Sequence, residues 1–157
     1  MKAFKIQGGN SLSGEIIPQG AKNEALQVLC AVLLTPEEVH MKNVPDILDV
    51  NRLIELLEGL GVKISRIKKH EYIFKADQVN LDYITTEEYY RKATSIRGSV
   101  MILGPLLARF GRGYLPQPGG DKIGRRRLDT HFTGLQKLGV EFTYNTDEKS
   151  YHVNAKN

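Results

Sequence analysis

Apolar residues along this chain fall into two series of like spacing. Leu53, Leu56, Leu57 and Leu60 recur at the interval of one helix face, and so do Leu128, Phe132, Leu135 and Leu138. Each series ends on Leu-Gly-Val, the two copies 78 positions apart. Gly61 and Gly139 then stand where a helix is commonly stopped by a residue that tolerates positive φ. Strand-forming residues follow each stop. Val62–Ile67 with Tyr72–Lys75, and Val140–Tyr144 with Tyr151–Asn154, predict a terminal hairpin in each copy. Upstream, Ala25–Leu34 and Gly98–Leu107 are apolar on nearly every side, which predicts buried helices. They lie 73 positions apart, as do Pro45 and Pro118, which close the strand that follows each helix.

The predicted unit is strand, buried helix, strand, amphipathic helix, two strands (βαβαββ). It occurs twice, over about residues 1–78 and 79–157. Short strands alternating with helices indicate an α/β (α+β) layer arrangement. The offset between copies grows from 73 to 78 between Pro118 and Leu138, so the second copy holds extra residues there. Extra length in a repeat maps to loops, and loops on a rigid scaffold carry function.

That loop is Leu115–His131, LPQPGGDKIGRRRLDTH. Gly119 and Gly120 allow the backbone to bend and a ligand to approach closely. Asp121 follows, then Arg125, Arg126 and Arg127, whose planar donor forks match phosphate and carboxylate oxygens. An acid beside anion-binding groups points to chemistry on a phosphorylated substrate; the alternative is a solvated surface loop. A second polar cluster, Gln19-Gly20-Ala21-Lys22-Asn23-Glu24, enters the first buried helix. A helix N-terminus attracts anions, and Lys22 adds a full charge that opposes the helix dipole and so is not there for helix stability. Arg97 lies at the matching end of the second buried helix, so pseudo-symmetry would bring both ends to one site. Asp129 is placed to cap the second amphipathic helix, with His131 just after it.

Bulk properties narrow the classes further. The chain has 157 residues, 41% hydrophobic and 25% charged, with net charge +4. That is a globular composition, compatible with anionic small molecules and with nucleic acid. The longest apolar run, Ala25–Leu34, is too short to span a bilayer, and Met1 is not followed by an export signal. The single Cys30 excludes an internal disulfide and sits among apolar neighbours as inert core. His40, His70, His131 and His152 are scattered, so no metal site is expected, and no Walker-type phosphate loop is present.

Several short motifs stand together in order. They are Gly20-Ala21-Lys22-Asn23 ahead of a helix, and Arg97 followed by Leu103-Gly104-Pro105-Leu106 and Ala108-Arg109-Phe110-Gly111. Pro118-Gly119-Gly120 then leads to Ile123-Gly124 and to Asp129 with His131. Over essentially the whole chain this set closely resembles the enolpyruvyl transferase family, in its UDP-N-acetylglucosamine 1-carboxyvinyltransferase branch. The EPSP synthase branch usually shows Ser-Lys-Ser where this chain has Ala21-Lys22-Asn23.

The resemblance implies an inside-out α/β barrel made of six such repeats in two domains, two of the repeats being present here. Residues 1–21 would belong to the other domain and 22–157 to a partial catalytic domain. It implies an addition–elimination between phosphoenolpyruvate and the 3-hydroxyl of UDP-N-acetylglucosamine, the first committed step of peptidoglycan synthesis, with no cofactor and no metal. Lys22 and Arg126 would hold phosphoenolpyruvate. Asn23, Arg97 and the segment Arg126, Arg127, Leu128, Asp129, Thr130 and His131 would contact the sugar nucleotide. Arg127 stands where the family usually has proline. Asp121 stands where most members have the cysteine that acts in proton transfer. Aspartate can serve as the acid but cannot form the cysteine's covalent adduct, so the resemblance implies resistance to fosfomycin. Burial would have to raise the pKa of Asp121 against its arginine neighbours. Two repeats without the other domain should be inactive alone and prone to self-association, and a cytoplasmic location is expected. The rival class is a basic nucleic-acid-binding module using Lys122 and Arg125–Arg127, which has no aromatic stacking partner within the run.

Overall fold

The computed structural model describes residues 3–117, 119 and 127–156. The described residues form a mixed helix and strand structure with two small sheets and no closed barrel. The first half runs α1 (Lys22–Ala31), a 3-10 turn (Val32–Leu34), β1 (Glu38–Lys42), α2 (Leu48–Gly59), β2 (Lys63–Lys68) and β3 (Glu71–Lys75). The second runs 3-10 turn (Leu81–Thr85), α3 (Glu87–Thr94), 3-10 turn (Arg97–Ile102), α4 (Leu103–Phe110), β4 (Arg112–Pro116), α5 (Asp129–Lys137), β5 (Val140–Asn145) and β6 (Ser150–Ala155). The sheets have matching antiparallel orders, β1-β3-β2 and β4-β6-β5. In each the last strand of the hairpin sits in the middle.

The hairpins and the two amphipathic helices form where the hydrophobic spacing places them. Gly61 and Gly139 adopt φ of +88° and +87° at the ends of those helices. Three features differ from the sequence reading. The strand expected at the start of each unit is absent among the described residues. Residues 3–19 are exposed and in no strand ladder, with Phe4 99% and Leu12 95% exposed; a strand needs a hydrogen-bonding neighbour, and among the described residues none runs alongside this segment. The second unit instead begins with a 3-10 turn and α3, capped at its start by Thr86, whose hydroxyl accepts from the Tyr89 amide at 3.2 Å. The helices expected to be buried all round are only partly so: α1 buries Leu26, Leu29 and Cys30 but leaves Val28 exposed, and in the second copy Arg97–Ile102 winds as a 3-10 turn before α4.

The main core spans both halves. Leu29, Leu33, Leu53, Leu56, Leu57 and Phe74 of the first half meet Tyr89, Ile96, Ile102 and Leu106 of the second. A smaller core lies under the second sheet, from Val100, Leu103, Leu107, Leu115, Val140 and Val153. Phe132, Leu135, Phe142 and Tyr151 border it only partly buried. The helix α5 has no buried residue, and Leu138 at its end is 80% exposed. Arg109 ties the halves together: Nη1 donates to the carbonyls of Leu33 at 3.0 Å and Ala76 at 2.8 Å.

Candidate functional site

Two backbone crossings set the site. Gly20 passes against the Asn43 carbonyl so closely that a Cβ there would overlap it. Asn43 takes φ of +58°, and the Gln19 side chain accepts from the Asp46 amide at 3.3 Å. These contacts set the start of α1 beside the start of α2. Likewise Gly119 lies against the Thr94 carbonyl, where only a residue without a side chain fits.

Between these elements opens a cavity of about 590 Å³. Lys22, Asn23, Leu26 and Gln27 of α1 form one wall, and Leu48, Asp49 and Arg52 of α2 another. Ser95, Arg97, Gly98, Val100 and Met101 close it from the second half, with Leu128 and His131 at the beginning of α5. Lys22 is the first residue of α1, and its ammonium donates to Asp49 Oδ2 at 2.8 Å. Both partners are roughly half exposed, at 47% and 41% of the side chain. Such a pair contributes about 0–1 kcal/mol and opens easily. Arg97 Nη2 donates to the Arg127 carbonyl at 3.4 Å, joining the second half's 3-10 turn to the segment ahead of α5. Arg52 Nη1 donates to the Ser95 carbonyl at 3.4 Å.

Five of the residues singled out from sequence thus line one cavity: Lys22, Asn23, Arg97, Leu128 and His131. Asp129 lines an adjoining recess of about 360 Å³ that shares Arg97 and Leu128, and it pairs with the Arg127 side chain. Asp129 does not cap α5. Leu128 precedes the helix without a side-chain cap and Asp129 is its first residue, its carboxylate drawn instead to Arg127. Thr130 is exposed and is not among the described residues lining either space. Asp121, Lys122, Arg125 and Arg126 lie outside the described residues, as do Pro118 and Gly120. Asp49 and Arg52 were missed by sequence reasoning. They sit in the first turns of α2, and their signal was a pair of opposite charges, three residues apart, opening an amphipathic helix.

Among the described residues no group of His, Cys, Asp and Glu is arranged to hold a metal ion, and no helix is long and apolar enough to cross a membrane. Cys30 is buried; desolvation pushes its thiol pKa far up, so it is not a nucleophile.

The family profile for EPSP synthase (3-phosphoshikimate 1-carboxyvinyltransferase) matches residues 6–157. The chain belongs to the EPSP synthase family. Within that family, it is 54% identical over 156 residues to the UDP-N-acetylglucosamine 1-carboxyvinyltransferase of Bacteroides fragilis, covering 99% of this chain and 36% of the relative. It is 55% identical over 155 residues to the enzyme of the same name from Porphyromonas gingivalis, again with 99% and 36% covered. This EPSP synthase family chain therefore spans about a third of the length of these curated relatives. The crystal structure of the enolpyruvyl transferase NikO from Streptomyces tendae superposes with a TM-score of 0.68 at 22% identity, over 95% of this chain and 31% of that one. That likeness shows the fold.

Proposed function

We propose that this chain carries part of the active site of a UDP-N-acetylglucosamine 1-carboxyvinyltransferase. The observation that carries the reading is the cationic cavity between α1, α2 and the Arg97 turn, in a chain more than half identical to relatives of that name. In the proposed reaction the sugar 3-hydroxyl adds to C2 of phosphoenolpyruvate while C3 gains a proton. Phosphate then leaves and an enolpyruvyl ether remains. Both substrates are anionic, and the chemistry calls for fixed cations around phosphate and carboxylate. Lys22 and Arg97 supply cations at the cavity wall, and Asn23 supplies a neutral hydrogen-bonding group beside them. From sequence, Arg126 adds a further cation and Asp121 is the proton donor to C3. The product reading is peptidoglycan synthesis in the cytoplasm, with no cofactor. Residues 1–21 belong with a second domain that completes the site, and exposed Phe4, Ile6, Leu12, Ile16 and Ile17 favour self-association of this chain without it.

The test is saturable binding of UDP-N-acetylglucosamine to the 157-residue chain, weakened by Lys22→Ala and by Asn23→Ala. Salt-dependent binding of duplex DNA in its place would overturn the reading in favour of a nucleic-acid module. Turnover of phosphoenolpyruvate by this chain alone would contradict the need for a second domain. An enzyme carrying Asp121 should resist fosfomycin; a covalent mass gain at Asp121 on treatment would refute that role.

A further inference from the structure

We infer that Arg52 is a binding residue of this site, contacting a phosphoryl group of the ligand. The inference rests on the proposed reading of the cavity as an anion site. Arg52 lies on α2 and lines the same main cavity as Lys22 and Arg97. Half-buried, it also lines an adjoining space of about 240 Å³ with Glu55, Arg91, Lys92 and Ser95.

Two observations set it apart from a surface arginine. First, its one recorded bond among the described residues is the 3.4 Å contact to the Ser95 carbonyl, at the long limit for such a bond. A guanidinium has five N–H donors in a planar fork, so most of its capacity is unspent. Second, the carboxylate three residues earlier on the same helix, Asp49, is taken by Lys22 at 2.8 Å and not by Arg52. Among the described residues, the charged groups lining the cavity are Lys22, Arg52 and Arg97 against Asp49, a net of +2 with His131 neutral. Without Arg52 the net is +1. Arg52 thus adds to the positive charge this wall offers a phosphate or diphosphate, and a guanidinium can grip two such oxygens at once.

The experiment uses the 157-residue chain with inorganic phosphate and UDP-N-acetylglucosamine as probes, followed by calorimetry at low salt. Arg52→Gln should lower affinity for UDP-N-acetylglucosamine by about 10-fold or more, the effect of losing a charge-assisted pair. Arg52→Lys should recover only part of it, because an ammonium supplies charge without the fork. In the wild-type chain, the Arg52 guanidinium 15N resonances should shift on ligand addition, a response that a purely structural tie to Ser95 would not give. Unchanged affinity in Arg52→Gln alongside a loss in Lys22→Ala would overturn the inference and leave the site intact. Failure of the wild-type chain to bind either probe would overturn both. A lowered melting temperature with no guanidinium shift would make Arg52 a structural tie and also end the inference.

Discussion

Replacing Arg109 by alanine should destabilise the chain by about 3 kcal/mol. The guanidinium Nη1 carries two hydrogens and donates to two carbonyls, Leu33 at 3.0 Å and Ala76 at 2.8 Å. Both acceptors belong to residues with 0% exposure. A hydrogen bond to a charged group contributes roughly 1.5–3 kcal/mol, and two such bonds set a gross value of about 3–6. The guanidinium carbon also lies 4.8 Å from the Phe110 ring centroid, worth about 0.5–1 kcal/mol at a partly exposed site. Against these stand about 2 kcal/mol of arginine rotamer entropy and the partial exposure of the side chain. The balance is near 3 kcal/mol, a fall in melting temperature of about 6–12 °C for a domain of this size. Arg109→Lys should recover less than half, since one ammonium cannot reach both carbonyls in the same geometry. Equilibrium urea denaturation with a common m-value measures this. A loss below about 1 kcal/mol in Arg109→Ala would refute the argument that this side chain joins the two halves.

Other outcomes follow from particular contacts. Glu71 accepts from Lys68 at 3.0 Å and meets His40 Nε2 at 2.7 Å; the Lys68 hydrogen bond, with that of His40, holds its carboxyl below the usual range against a desolvation that raises it. A depressed folded-state pKa gives stability that is present above the unfolded value, about 4.3, and lost as pH falls through the folded one. Melting curves from pH 6 to pH 2 should therefore decline less steeply in Glu71→Gln than in the wild type, and parallel declines would contradict this. Thr86→Ala should cost about 1 kcal/mol by removing the cap of α3, read by urea denaturation. Cys30 should stay unmodified by a thiol reagent in the native chain and react only under denaturing conditions; rapid native labelling would show that it is not in the core. Lys22→Ala should change stability by no more than about 0.5 kcal/mol while ligand affinity falls, because its partner pair is exposed.

The amino-acid sequence by itself determined the repeated helices, their glycine stops, the two hairpins and the inertness of Cys30. Each of these rests on local periodicity or on a conformation that only a neighbouring residue type permits. It also singled out Lys22, Asn23, Arg97, Leu128 and His131, through motif order, but could not show that they line one space. The shared space depends on where α1, α2 and the Arg97 turn are pinned, and the pins are contacts distant in sequence: Gly20 on Asn43, Gly119 on Thr94, Arg109 on Leu33 and Ala76. Asp49 and Arg52 escaped notice for the same reason. Polar residues in the first turns of a helix read as solvated until another helix end is packed beside them. The strand expected before Lys22 failed in the opposite direction. A strand forms only when a partner edge exists, and among the described residues Phe4, Ile6 and Leu12 have none. Local pattern decides which elements a segment can form, and tertiary contacts decide which of them are formed and which charges meet.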